Sequence, residues 1–150
     1  MISTSQIQAK FDLIAMQWGS NNNIALVWRN SADNDMNEQA VSQLVGFPQH
    51  IPAPSISMGF QQSDLAKRGI YQVMLRAPRL SGTRQIYDAA DALVEAFNEA
   101  MFYDGNYVSI GDDDQQLYLT APAEIGADYE DDAGLHVAVT MNYRINNVRG

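Results

Sequence analysis

The sequence predicts an α+β fold: a mainly antiparallel or mixed β-sheet with two α-helices packed on one face. Two segments carry apolar residues three or four positions apart, which is the period of an amphipathic helix. Several other segments alternate apolar and polar residues, as strands with one drier face do. The order helix, strands, helix, strands is typical of helices that lie on one side of a sheet. The other side then stays wet or is buried against another chain.

The first helix is predicted within "STSQIQAKFDLIAMQW", residues 3–18. Its apolar residues follow spacings of four, three and four and form one stripe: Ile7, Phe11, Ile14 and Trp18. A serine or threonine at 3–5 is expected to cap the start, because its side-chain oxygen accepts a hydrogen bond from a free backbone N–H. Gly19 and the following "SNNN" are expected to end the helix. "IALVW", residues 24–28, is predicted to be a short buried strand.

The middle of the chain predicts a long loop followed by two paired strands. Residues 29–49 are polar without a firm apolar period, which indicates a surface loop. "HIPAPSISMGF", residues 50–60, contains two prolines and predicts an edge strand with Ile56 and Met58 on one face. "IYQVMLRA", residues 70–77, alternates in the two-residue period of a strand and is expected to pair with the strand before it.

The second helix has the clearest periodicity in the chain. Pro78 is expected to end the preceding strand, and Ser81 or Thr83 to cap the helix. Apolar residues again follow spacings of four, three and four: Ile86, Ala90, Leu93 and Phe97. The wetter side carries acidic residues: Asp88, Asp91, Glu95 and Glu99. The closeness of Asp88 and Asp91 to the positive end of the helix dipole is a sufficient explanation for this carboxylate pair.

The last third predicts strands joined by acidic connections. "YVSI" and "QLYLT" are two short strands separated by the tip "GDDDQ", and "APAEIGADYEDDAG" is a polar connection. "LHVAVTMNYRI", residues 135–145, alternates over its whole length and predicts a long closing strand. With 150 residues, 46% of them hydrophobic, residues 1–150 are expected to form a single domain around one core.

Composition excludes several classes of protein. The formal net charge of -9 and the pI near 4.4 argue against a broad grip on nucleic-acid phosphates. The absence of cysteine excludes disulfide scaffolds and thiolate metal sites. No apolar run has the length that a membrane span needs, and the start lacks the pattern of a secretion signal. A soluble, intracellular protein is expected.

The residues offer little support for catalysis. The acidic runs Asp112, Asp113, Asp114 and 130–132 supply oxygen ligands for a hard cation, but neither has the spacing of a calcium loop, so solvated hairpin tips are expected. His50 and His136 have no partner at ligand spacing. No nucleophile motif or phosphate-binding loop is present. The sequence therefore predicts no catalytic residue, no cofactor and no metal.

Four aromatic residues leave two interpretations open. These residues are Trp18, Trp28, Tyr71 and Tyr143. In the first interpretation they anchor a surface that binds a partner, because aromatic residues concentrate in interfaces. In the second they belong to the core, because they occupy periodic positions.

The segment "RGIYQVMLRAPRLSGTRQIYDAADALVEAF" resembles the central signature of lambda-type phage tail terminator proteins. That signature is a "G-x-Y-Q-V" strand, a short turn with proline or glycine, and a helix of "A-x-x-A-D-x-L-x-x-x-F" character. The matching residues are Gly69, Tyr71, Gln72 and Val73, then Pro78 and Gly82, then Ala90, Asp91, Leu93 and Phe97. The order of the surrounding helix and strands is also similar to the family, and 30–50 is the part least like it.

The resemblance implies a structural role in the virion. Such proteins assemble as six-membered rings on the head-proximal end of the tail tube, stop its polymerisation and present the surface that the head connector binds. The expected partners are a second copy of the chain, the tail tube protein and the head-tail connector protein, with DNA passing through unbound and with no membrane. The expected location is the virion tail, after assembly in the host cytoplasm. If Asp112, Asp113 and Asp114 face the channel, they repel passing DNA.

Two alternatives stay open at the level of the sequence. A head completion or connector adaptor protein of the same virion is also small, acidic and ring-forming, and binding to tail tubes or to capsid portals separates the two. A small hydrolase that uses the acidic runs with a divalent metal is the second alternative, and it predicts turnover that depends on Asp112 to Asp114.

Overall fold

A curled mixed β-sheet and two α-helices form the architecture in the computed structural model, which describes residues 3–28, 43–52, 56–57, 65–66, 68–111 and 115–147. The helices are α1 (Thr4–Asn22) and α2 (Arg84–Met101), and a 3-10 turn spans Tyr103–Gly105. The described strands are β1 (Ala25–Leu26), β2 (Val45–Pro52), β3 (Ile56–Ser57), β4 (Leu65–Ala66), β5 (Arg68–Ala77), β6 (Val108–Ile110), β7 (Gln115–Leu119), β8 (Glu124–Ile125), β9 (Tyr129–Asp131) and β10 (Gly134–Asn147).

The main sheet has the strand order β1-β2-β5-β10-β7-β6, and β8 and β9 pair with β10 beside β7. Strands β1 and β2 run parallel, whereas the other neighbours in this sheet run antiparallel. The predicted α+β class with a mainly antiparallel, mixed sheet is therefore confirmed. Strand β10 lies at the centre and pairs with β5 from Leu135 to Arg144.

Both helices lie on one face of this sheet, which we call the inner face. It carries alternate residues of each strand, such as Tyr71, Val73 and Leu75 of β5 and Val137 and Val139 of β10, all fully buried. Trp18 of α1 donates its indole N–H to the carbonyl of Ala89 in α2, 3.2 Å away. The Phe11 and Phe97 rings also meet, 5.9 Å apart, so the two helices run in opposite directions.

Helix α1 begins as the sequence predicts but ends later. Ser3 and Gln6 form a capping box, in which each side chain accepts from the other residue's backbone N–H. The predicted stop at Gly19 and the following "SNNN" falls at the last residue of that segment, because the helix continues through Gly19 until Asn23 turns left-handed at φ 56°. Gly19 instead permits a close approach of the returning chain, since a Cβ there would lie 2.9 Å from the carbonyl oxygen of Ile24.

Helix α2 buries the predicted stripe, and its four acidic residues 88, 91, 95 and 99 are exposed. Thr83 precedes its first residue, but the threonine side chain makes no cap hydrogen bond. The hydroxyl of Ser81 donates to the carbonyl of Pro78 within the turn instead. Asn98 is buried on α2, and its side-chain oxygen accepts from the backbone N–H of Ala123 at 2.8 Å.

The predicted long loop over 29–49 is wrong at its end. Val45–Pro52 is an eight-residue strand, and it supplies the partner of β5 that 50–60 was expected to supply. Its apolar alternation is hidden because Gly46, Pro48 and His50 occupy the inner-face positions. Residues 29–42 and Met58 lie outside the described part of the chain.

Three further segments differ from the predictions. The strand predicted over 24–28 is reduced to two residues in β1. Ile56–Ser57 pairs with Leu65–Ala66 in a separate two-stranded sheet rather than with β5. The polar connection 121–134 contains β8 and β9, which extend the sheet along β10. Short strands of this kind have too few residues to show a period.

Within the described residues, neither helix is long and apolar enough to cross a membrane.

Position 69 needs a glycine because the ring of Tyr143, its cross-strand partner, occupies the space beside it. A Cβ at position 69 would lie 2.6 Å from the Tyr143 hydroxyl oxygen and 2.8 Å from the carbonyl oxygen of Ile51. We expect Gly69→Ala to lower the free energy of unfolding by about 1–3 kcal/mol, because the ring and the strand must move apart. Urea unfolding followed by circular dichroism measures this change.

Gly126→Ala is the matched control for that variant. A Cβ at 126 meets only ordinary contacts, the nearest being the carbonyl oxygen of Ala138 at 3.6 Å. Equal unfolding free energies for the two alanine variants would contradict the proposed role of Gly69.

Candidate interaction surfaces

The signature residues divide between core and surface. Six of them pack on the inner face or beneath the helices: Gly69, Tyr71, Val73, Ala90, Leu93 and Phe97. Gln72 lies on the opposite face of the sheet, where its amide nitrogen donates to the Thr140 hydroxyl at 3.1 Å. Asp91 is exposed on α2. Most of the signature therefore describes how the strand, the turn and the helix pack.

An aromatic cluster forms the centre of that packing, and it consists of Phe11, His50, Tyr71, Phe97 and Tyr143. The Phe11 ring stacks on Tyr71 with centroids 4.8 Å apart and lies 5.2 Å from Tyr143. Such contacts stabilise a core beyond the area that they bury. Trp18, Tyr71 and Tyr143 are at most 2% exposed, so these three predicted candidates for a partner surface belong to the core, and Trp28 is half-buried.

Two hydrogen bonds engage the tyrosine hydroxyls of this cluster. The Tyr71 hydroxyl donates to a carboxylate oxygen of Asp12 at 2.6 Å, and burial together with this acceptor raises the pKa of Tyr71. The Tyr143 hydroxyl lies 2.7 Å from Nε2 of His50, and burial raises the pKa of Tyr143 to about 12. His50 has no partner at ligand spacing in the sequence, and the fold supplies one from a residue 93 positions away. Sequence spacing carries no signal for it.

The opposite side of the sheet, which we call the outer face, is covered by neither described helix. Across β2, β5 and the middle of β10 its positions hold uncharged side chains that are half-buried or exposed: Phe47, Gln49, Ile51, Ile70, Gln72, Met74, Ala138, Thr140 and Asn142. Ile51 is the most open of the apolar ones, at 40% exposed. Arginines lie at the margins of this region, at 68, 76 and 144.

A polar cluster closes one end of the outer face. The side chain of Arg76 donates from Nε to Nδ1 of His136 at 3.4 Å, and Nε2 of His136 lies 2.8 Å from a carboxylate oxygen of Asp131. The Tyr129 ring stacks on the imidazole with centroids 4.4 Å apart. His136 is 2% exposed, so its imidazole is buried within this polar cluster. The hydrogen bond from His136 lowers the pKa of Asp131.

The free edge of β2 is blocked by proline. The carbonyl of Gly46 accepts from the N–H of Val27 in the β1 segment, so the backbone groups of Gly46 point away from β5. Because orientation alternates along a strand, Pro48, His50 and Pro52 point the same way. Two of these three residues have no N–H to offer, which is a known protection of sheet edges.

The acidic tip Asp112, Asp113 and Asp114 lies outside the described residues, and the flanking strands β6 and β7 pair antiparallel as predicted. The second acidic run is only partly a solvated tip. Asp131 accepts hydrogen bonds from His136 and from the N–H of Ala133, whereas Asp132 is fully exposed beside Arg79. Within the described part of the chain, no three His, Asp or Glu side chains converge to hold a metal ion.

The fold defines a class of protein: a small α+β module with both described helices on one face of its sheet. A family model described as "Phage tail terminator protein" matches residues 6–143. The chain belongs to the phage tail terminator family, which confirms the resemblance seen in the sequence and gives the protein a structural role in the phage tail.

The fold is also found among solved structures. Six solved chains match, and one of them, whose name carries no function, is 19% identical to this chain at a TM-score of 0.72. The match covers 97% of each chain. At this identity the likeness shows the fold alone. No curated protein matches the chain.

The buried His50 makes stability depend on pH. Burial lowers its pKa from the ordinary value of 6.5, and the nearby Asp12 charge offsets only part of that effect. The unfolded chain therefore binds a proton near pH 6.5, where folded His50 stays neutral. We expect the free energy of unfolding to be constant with respect to this group above pH 6.5, and to fall as the pH drops from 6.5 through the lower folded pKa. Urea unfolding at pH 7.5, 6.5 and 5.5, measurement points that span about one unit on each side of the ordinary His pKa, detects the change.

His50→Gln removes the titrating group and keeps a polar side chain near Tyr143. Its unfolding free energy should change less across the same pH range than that of the unsubstituted chain. The same slope in both proteins would show that His50 is not responsible.

Proposed function

We propose that this protein caps the head-proximal end of the phage tail tube, stops tube polymerisation and forms the surface to which the head connector binds, acting as a ring of six copies. The single observation that carries the proposal is the family match over residues 6–143. The physical features of the chain support it in three ways, through the open sheet face, the surface charge and the blocked edge of β2.

The outer face supports contact with another protein chain. Residues such as Phe47, Met74 and Ile70 leave half-buried apolar area there, and no described helix covers it. The centre of this face mixes such apolar residues with uncharged polar ones, and the centres of protein interfaces are likewise depleted in charged side chains. Covering it with another chain removes apolar surface from water, which is the main favourable term in association.

A closed ring requires head-to-tail contacts, in which one patch of each copy fits a different patch of the next. The blocked edge of β2 is consistent with contact through side-chain surfaces rather than through an added strand. Strand addition at a free edge leads to open-ended assemblies, because each added copy presents a new edge.

The net charge of -9 suits a channel through which DNA passes without binding. We propose that Asp112, Asp113 and Asp114 face that channel. A ring structure, determined by electron cryomicroscopy of capped tails, is expected to place the tip between β6 and β7 on the inner wall. A tip on the outer rim would refute this placement.

The proposed function predicts the length of tails. Tails assembled without the protein should show tubes of irregular and excessive length in negative-stain electron micrographs, and addition of the purified protein should restore a uniform length. Binding of the protein to purified tail tubes but not to capsid portals is the accompanying control. Uniform tubes in its absence would refute the capping role, and binding to portals alone would favour a head completion protein.

A further inference from the structure

Helix α1 carries a second stripe on the side that faces away from the sheet. Its positions follow spacings of three, four, three and four, and we call them the outward stripe: Gln6, Ala9, Leu13, Met16 and Ser20. Leu13 and Met16 are each 53% exposed, although Ile7, Phe11 and Trp18 of the same helix already fill the core. A surface helix normally presents a polar or charged face to water. The outward stripe contains no charge.

The two helices differ sharply in what they show to solvent. Helix α2 exposes the four carboxylates at 88, 91, 95 and 99 in 18 residues. Helix α1 has two charged residues in 19, Lys10 and Asp12, and both are half-buried beside the stripe. The centre of a protein interface is depleted in charged side chains. By that criterion the exposed side of α1 resembles the centre of an interface, whereas the exposed side of α2 resembles ordinary solvated surface.

We propose that the outward stripe of α1 docks onto the outer face of a second copy of this chain. This inference rests on the proposed ring and names the elements that form its subunit contact. The distribution of charge indicates which partner contacts the outward stripe. Each copy carries a net charge of -9, so two copies meet at lower electrostatic cost where neither presents a carboxylate. A basic partner would instead be met by the acidic face of α2.

The outer face meets the requirements for the receiving surface. Its centre, on β2, β5 and β10, holds no carboxylate among the described residues. Its size also fits, because a 19-residue helix is about 28 Å long and the ten-residue strand β5 spans about 33 Å. The helices and the outer face lie on opposite sides of the sheet. A contact between them joins unlike patches, as a closed ring needs.

Leu13→Glu tests the contact with a matched control in Leu80→Glu. Both substitutions put a carboxylate in place of an exposed leucine, and Leu80 is more open, at 85% exposed, but lies in the turn before α2. We expect Leu13→Glu to weaken self-association by at least about tenfold in sedimentation velocity, because the added carboxylate loses its water against the uncharged centre of the outer face. Leu80→Glu should associate like the unsubstituted chain. Thermal unfolding by circular dichroism should be the same for all three proteins.

Three results of that comparison would refute the contact. The first is that Leu13→Glu associates as strongly as the unsubstituted chain, and the second is that Leu80→Glu weakens association equally. The third is that the unsubstituted chain is monomeric under all conditions while Leu13→Glu still restores uniform tail length. The last assay separates this inference from the proposed function. If Leu13→Glu restores uniform tail length as well as the unsubstituted chain does, capping stands and the contact through α1 falls.

Crosslinking identifies the receiving surface. The chain has no cysteine, so Leu13→Cys labelled with a benzophenone maleimide carries a single photoreactive probe. Irradiation of the assembled protein should give adducts between copies, and mass spectrometry should place them on the outer-face residues of β2, β5 or β10. Adducts to α1 of another copy, or to tail tube protein alone, would refute the proposal.

Discussion

The packing of Tyr143 across Gly69 is the constraint on which the rest of the structure depends. Strand β10 and strand β5 are joined along ten residue pairs, and this pair lies near the end where α1 crosses them. The glycine leaves room for the ring, and the ring then meets Phe11 of α1 and His50 of β2. One cross-strand pair thereby ties the central strands, an edge segment and a helix into the same cluster.

That cluster explains why both described helices lie on one side of the sheet. Phe11 and Phe97 approach Tyr71 from the two helices, so both helices must lie on the inner face to complete the core. The outer face receives no helix from the described chain and keeps an uncharged centre. The signature shared with the tail terminator family is, in these terms, a description of the inner face. The contacts proposed for assembly use surfaces that the signature does not mention, apart from Gln72.

The sequence correctly predicted the elements in which the pattern of apolar residues repeats over several positions. Helix α2, most of α1, and strands β5 and β10 have four or more positions of clear period, and each was placed correctly. Strand β2 was missed because glycine, proline and histidine hold its inner positions, and these residues are not typical of a buried strand face. The His136 contacts and the His50–Tyr143 contact were not predictable, since they join residues that only the strand register brings together.

The prolines of β2 affect how unassembled subunits interact with one another. Under the proposed capping function, a pool of subunits exists free of the tail before each cap forms. An open β-edge in such a pool would recruit further copies and seed fibrils. Pro48 and Pro52 withhold two N–H donors on the side of the strand that points away from β5, so that route is hindered before any partner binds. Free subunits are thereby protected from edge-to-edge aggregation at this strand.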